Sequence, residues 1–340
     1  MFNHSTSSYR WSLFIILMLT VVMMVVSLMN GAYTLSAEDV LRTVFRLDEN
    51  PDHDLVIFDF RLPRIVLAGA VGFSLGIAGA VLQGITRNGL ADPGILGINA
   101  GAGAAIVLFM FFFQSQMDYG GLLAIMTQPL FGLVGGLAAA LIIFLFSWRN
   151  GSIDSQRLLL TGIAIGSGFG AFALYLSLKM KASDFEMATV WISGSIYNAN
   201  WLFILSMVPW LLILVPIVYK KASLLDYFQL EEGSMKSLGI KVEREKAILL
   251  LTSIGLVSAS VSVSGSIGFI GLMAPHIAKR LVGIKHRQVI PVCGAVGMLL
   301  VITSDFIAKT VFAPVEIPVG IVISIIGVPY FLYLLMKEKA

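Results

Sequence analysis

This chain has little charge. Only 13% of its 340 residues are Asp, Glu, Lys or Arg, against roughly 25% in an ordinary soluble domain. Hydrophobic residues make up 57% of it and the mean hydropathy is +0.89. That balance excludes a soluble globular fold and leaves an all-α polytopic membrane protein, because backbone in lipid must satisfy its own hydrogen bonds. The net charge of +3 is too small to draw in nucleic acid.

Cysteine is nearly absent. Cys293 is the only one, so an internal disulfide and a thiolate metal site are both excluded. His4, His53, His276 and His286 show no metal-ligand spacing. No glycine-rich phosphate loop ending in Gly-Lys-Ser or Gly-Lys-Thr is present, so any ATP hydrolysis must belong to a partner. An intramembrane enzyme would need a catalytic pair inside an apolar run, and none is found. A secondary transporter driven by an ion gradient, the main alternative, would need an ionisable residue near a span centre. Asp305 and Lys309 come nearest. They stand acid first, four apart, at the end of a run, and read as a helix-surface ion pair.

Long apolar runs, by contrast, are abundant. They cover Trp11–Gly31, Arg64–Gln83, Gly94–Phe113, Pro129–Trp148, Leu158–Leu178, Trp201–Tyr219, Ala247–Val263, Val289–Ala308 and Pro318–Met336. The first lacks a small-residue cleavage site and is read as a retained helix, not a signal peptide. Gly265–Val282 is shorter and glycine-rich. Charge decides whether it crosses. Lys220–Lys246 carries six basic residues and Lys279–Arg287 four, with Lys337 and Lys339 in the tail. The loop Gly31–Phe60 instead holds Glu38, Asp39, Asp48, Glu49, Asp52, Asp54 and Asp59 against Arg42 and Arg46. Ten crossings with both termini inside put every basic loop in the cytoplasm and the acidic loop outside, as the positive-inside rule requires. Nine would not.

Glycines recur at helical spacing within the runs, Gly69, Gly72, Gly76 and Gly79 in the second and Gly162, Gly166, Gly168 and Gly170 in the fifth. They read as close helix contacts, with an open pathway as the other use of a missing side chain. The blocks Arg64–Leu178 and Ala247–Met336 each hold four crossings and a glycine-rich break, Gly94-Ile95-Leu96-Gly97 in one and Gly268-Phe269-Ile270-Gly271-Leu272 in the other. Starting from opposite sides, they form a weak inverted internal repeat of the kind transporters use. The loop 220–246 suits one or two short amphipathic helices punctuated by Gly233 and Gly239, whose apolar face would rest on lipid headgroups or in a groove on a cytoplasmic partner.

Five motifs stand in order along the chain. These are Arg61-Leu62-Pro63-Arg64, Gly79-Ala80-Val81-Leu82-Gln83, Asn88-Gly89-Leu90-Ala91-Asp92-Pro93 with Leu96-Gly97, Gly265 to Leu272 with Pro275-His276, and Glu316-Ile317-Pro318-Val319-Gly320. Together they resemble the FecCD family of permeases, the membrane subunits of ABC importers for iron-siderophores, haem and cobalamin, from Trp11 to the C-terminus. The resemblance implies a single permease domain, 1–340, of ten helices in a bacterial cytoplasmic membrane. It implies a second permease subunit, identical or homologous, around a central path. Two ATP-binding cassette subunits would bind ATP and Mg, with no cofactor on this chain, and an extracytoplasmic binding protein would deliver a ferric siderophore or similar chelate.

Residue by residue, Arg61, Arg64 and Lys309 match basic contacts to the binding protein. Asn88 and Leu90 match a cytoplasmic gate, and Ser155 and Gln156 a second gate before the fifth helix. Leu230, Gly233, Ser234, Leu238 and Gly239 fall in the helices that couple to the ATPase. Gly89 departs from the family's proline and lifts the restriction a proline places on Asn88. From the residues alone, Arg61 and Arg64 would anchor at the interface or pair with Asp59 and its acidic neighbours, with carboxylates of a partner as the other reading. Glu316 would cap the last helix, and His276 would be structural.

Overall fold

The structure is a computed structural model describing residues 6–31, 33–47, 50–113, 122–149, 152–153 and 155–338. Asp48, Glu49 and Lys339 of the charge pattern lie outside the described residues, as does the side chain of Lys337.

The chain is helical almost throughout. Helix α1 (Thr6–Met29) leads to α2 (Ala37–Val44), and α3 (Pro51–Asp54) runs through a π-helical stretch (Leu55–Arg61) into α4 (Leu62–Thr86). A 3-10 turn (Pro93–Leu96) precedes α5 (Ile98–Phe112) and α6 (Leu122–Ser147). A two-residue ribbon, β1 (Trp148–Arg149) with β2 (Ser152–Ile153), links α6 to α7 (Ser155–Ser177). Next come α8 (Ala182–Ile192), α9 (Trp201–Lys220), α10 (Ala222–Tyr227), α11 (Glu232–Ser237) and α12 (Val242–Ser264). The last three are α13 (Ile270–Val282), α14 (His286–Thr310) and α15 (Val319–Glu338).

Eight helices among the described residues are long and apolar enough to cross a membrane, and α5 is a shorter apolar helix. The run expected from Gly94 becomes helical only at Ile98, and the segment from Gly265 is irregular up to Ile270. The acidic loop is largely helical: α3 to α4 form one continuous 36-residue helix, Pro51–Thr86. Pro63 has no N–H to give Asp59, and the backbone widens into a π-helix one turn earlier, letting the helix continue past it.

Small residues decide which helices meet. In α4, a Cβ on Gly72 would lie 2.2 Å from the carbonyl oxygen of Gly297, and one on Gly76 would lie 2.3 Å from that of Cys293. The backbones of α4 and α14 are therefore in direct contact. On α6, a Cβ on Gly132 would lie 2.9 Å from the Ser262 Cα and one on Gly136 2.7 Å from the Ser258 hydroxyl, which joins α6 to α12 in the same way. Without a hydrophobic drive between helices in lipid, such backbone approach supplies the dispersion contact that holds them. The pairs α4–α14 and α6–α12 relate the two blocks of the repeat. The spans of α4 and α12 are each 83% buried, while that of α7 is 17% buried, so α7 flanks the core.

Candidate functional site

One end of the bundle gathers charge. Arg64 Nε and Nη2 donate to Asp305 at 2.8–3.0 Å, and Nη1 donates to Glu316 at 2.7 Å. Asp305 is 2% exposed and Glu316 34%, so one carboxylate is sealed in and the other faces out. The guanidinium fork permits both contacts at once. Tyr197, exposed, lies over the same group with its ring centre 5.9 Å from Cζ.

Arg61 and Lys309 turn inward. Arg61 donates to the carbonyl oxygens of Leu28 and Tyr33. Lys309 Nζ donates to the Ser27 carbonyl and hydroxyl, both at 2.8 Å. Each residue is 9% exposed. The last carbonyls of α1 have no intrahelical partners and form the negative end of its dipole. Two cations at Ser27 and Leu28 satisfy both needs. Gly31 makes room, since a Cβ there would sit 2.9 Å from the Arg61 guanidinium.

Three expectations are thereby corrected. Asp305 pairs with Arg64 and not with Lys309. Asp59 is not the partner of either arginine. Glu316 binds Arg64 instead of capping α15. In each case a partner distant in sequence displaced the local one.

At the opposite end, the loop 88–97 folds back into the bundle. The Asn88 side chain accepts from Leu90 N–H at 2.9 Å, and its carbonyl accepts from Ala91 N–H at 3.2 Å. Gly89 is exposed, with nothing within 4 Å of a Cβ built there, and its φ is not positive, so the site does not require glycine. Pro93 packs on Gly271, which in turn abuts Gly79. Gly79 lies about two turns, roughly 10 Å, inside the end of α4 at Thr86. Gly97 (φ 74°) touches the backbone of α7 at Gly162 and Gly166, whereas Gly168 and Gly170 face open space. The α7 glycines thus divide between packing and openness. Ser155 and Gln156 begin α7, with Gln156 exposed and the side chain of Ser155 outside the described residues.

The loop 220–246 forms α10 and α11 at this same end. Leu225, Phe228 and Met235 are at most 1% exposed, while Tyr227, Leu230 and Leu238 are 45%, 44% and 62% exposed. Gly239 ends α11 with φ 76°, as punctuation, but Gly233 lies within that helix beside Ser234. Several bonds pin α10 and the turns that flank it to the bundle. Asp226 accepts from His286 N at 2.9 Å and meets His286 Nδ1 at 2.6 Å. Lys221 pairs with Glu245, and Arg87 donates to the Leu230 carbonyl at 2.5 Å. His276 stacks edge-on against Tyr330 of α15, in keeping with a structural role.

Between the two ends lies an open cavity of about 600 Å³, lined by Ser193, Ser266, Gly320, Ser324, Val328 and neighbours. Sequence reading missed this place, because Ser193 follows the unforeseen α8. Ser193 and Ser324 hydroxyls donate to carbonyls of their own helices, and Ser266 accepts from Asn99. The wall therefore offers hydroxyl oxygens and apolar surface, with no charged side chain among the lining residues.

A multi-pass helical bundle with an uncharged cavity, an ion-paired cluster at one end and a pinned short helix at the other has the make-up of a membrane permease. The chain belongs to the FecCD transport family, which it matches over residues 19–337. It is 52% identical over 330 residues to the iron-uptake system permease protein FeuC of Bacillus subtilis, covering 97% of this chain and 98% of the relative. It is 43% identical to the iron(3+)-hydroxamate import system permease protein FhuG of the same organism, with 95% of each chain covered. A solved structure of a metal-chelate type ABC transporter in an inward-facing conformation superposes with a TM-score of 0.82 at 30% identity, covering 96% and 98% of the two chains.

Proposed function

We propose that this chain is the membrane-spanning subunit of an ATP-driven importer that carries a ferric siderophore or a similar metal chelate into the cytoplasm. The observation that carries this is the exposed apolar surface of Tyr227, Leu230 and Leu238, on and beside α10 and α11, where α10 and its flanking turns are bonded to α12, α14 and the residue that ends α4. A partner that grips α10 and its flanking turns moves three core helices at once. That is what coupling to an ATPase needs. A lipid-lying helix would not need such bonds.

At the other end, the end with the acidic segment, a binding protein docks on Arg64 and Tyr197. Arg61 and Lys309 hold α1 beneath that surface. A second permease subunit, identical or homologous, closes the open side of the cavity. The loop 88–97 and the start of α7 gate it on the cytoplasmic side, where both termini lie. The cargo is held by enclosure, since the cavity wall has hydroxyls and no charge.

The test is reconstitution with an ATP-binding cassette subunit and an extracytoplasmic binding protein. Leu238→Glu should abolish ATPase association and uptake while leaving the subunit folded. Unaltered association would remove α11 from the coupling role.

A further inference from the structure

Asp92 belongs to the loop 88–97, yet none of the roles above uses it. It is 6% exposed, and its two oxygens serve different elements. Oδ1 accepts from Gly94 N–H at 2.6 Å inside the loop, and Oδ2 accepts from Phe269 N–H at 3.1 Å at the start of α13. Phe269 has a left-handed backbone with φ 64°, a conformation a bulky residue keeps only where its surroundings fix it. Its ring lies against α15, so that a Cβ on Gly327 would be 2.6 Å from the ring carbon Cγ. The next residue along, Val328, lines the cavity. One carboxylate therefore links the loop, through Phe269, to the cavity.

We propose that Asp92 is a positioning residue: it holds Phe269 in the conformation that lays its ring on α15, so that the loop 88–97 and the α15 wall of the cavity move as one unit. The proposal rests on the transport reading for what that movement serves. An ionised carboxylate can accept both N–H groups with separate oxygens. An asparagine at this position has one acceptor oxygen and cannot reproduce the arrangement.

The chain's single cysteine is buried, so Val328→Cys adds one reachable thiol to the assembled transporter in liposomes. A membrane-impermeant maleimide is supplied from the side bearing Lys285 and Arg287. Asp92→Asn should raise the labelling rate about tenfold, the population shift that follows loss of one buried hydrogen bond. Phe269→Ala should raise it similarly, and the double variant should label no faster than Phe269→Ala alone, because Asp92 acts through Phe269. Should Asp92→Asn not assemble, Asp92→Ser keeps an acceptor for Gly94 and withdraws the one for Phe269. Rates within roughly twofold of the parent, or rates that multiply in the double variant, overturn the proposal. A chain that is not an ATP-driven permease would lose the ATP dependence of uptake and leave these rates as stated. A wrong role for Asp92 would leave uptake ATP-dependent and the rates flat.

Discussion

The two ends of this bundle use charge in opposite ways. At the Arg64 end, two cations are consumed by the fold and a third, Arg64, keeps one edge at the surface. Arg61 and Lys309 satisfy the last carbonyls of α1, and Arg64 is divided between the buried Asp305 and the exposed Glu316. At the far end, Asp226, Lys221 and Arg87 bond α10 and its flanking turns to the bundle, while Leu230 and Leu238 remain uncovered. Charge at the first end stabilises the subunit. At the second it presents an apolar surface to something else. Substitutions should therefore separate stability from association.

Asp305→Ala should have the largest effect on stability. It leaves the nearly buried Arg64 without its sealed partner, and breaking such a pair costs about 3–5 kcal/mol, read as a lowered unfolding transition in detergent. Lys309→Met should cost about 1–3 kcal/mol through the unpaired carbonyl and hydroxyl of Ser27, and hydrogen exchange should rise at the end of α1. Glu316→Gln should cost at most about 1 kcal/mol, being an exposed partner. A loss equal to that of Asp305→Ala would dissolve the distinction between the sealed and the open carboxylate. Leu238→Glu should change stability by no more than about 0.5 kcal/mol and yet remove ATPase binding in co-purification.

The smallest effect concerns α2. The Ser36 hydroxyl and backbone N–H both bond Asp39, holding its carboxyl below the usual range. With its folded-state value depressed, Asp39 stabilises the cap above pH 3.8, its ordinary value, and that contribution is lost as pH falls through the lowered value. Ser36→Ala should move the Asp39 titration, followed by NMR, back toward the ordinary value.

The spans were legible because each needs a long apolar run whose composition is local. Thr6–Met29 and Trp201–Lys220 fall within a few residues of where the runs predict. The N-terminal extension of α4 to Pro51 was hidden because Asp52, Asp54 and Asp59 interrupt the apolar run without interrupting the helix. Helix α8 was too short to register as a span. For the site, residue types were legible and partners were not. Arg64 was marked by its motif, but Asp305 lies 241 positions away, and Ser27 lies 282 from Lys309. Asp92 before Pro93 carries the local signal of a cap. Its bond to Phe269, 177 positions on, depends on how the two glycine-rich breaks meet.

The most direct measurement is uptake of a radiolabelled ferric siderophore by proteoliposomes containing this subunit, its permease partner, the ATPase and the binding protein. The account predicts uptake that follows ATP hydrolysis, survives ionophores that collapse ion gradients, and disappears with Leu238→Glu. Uptake driven by an ion gradient with no ATPase present would contradict it.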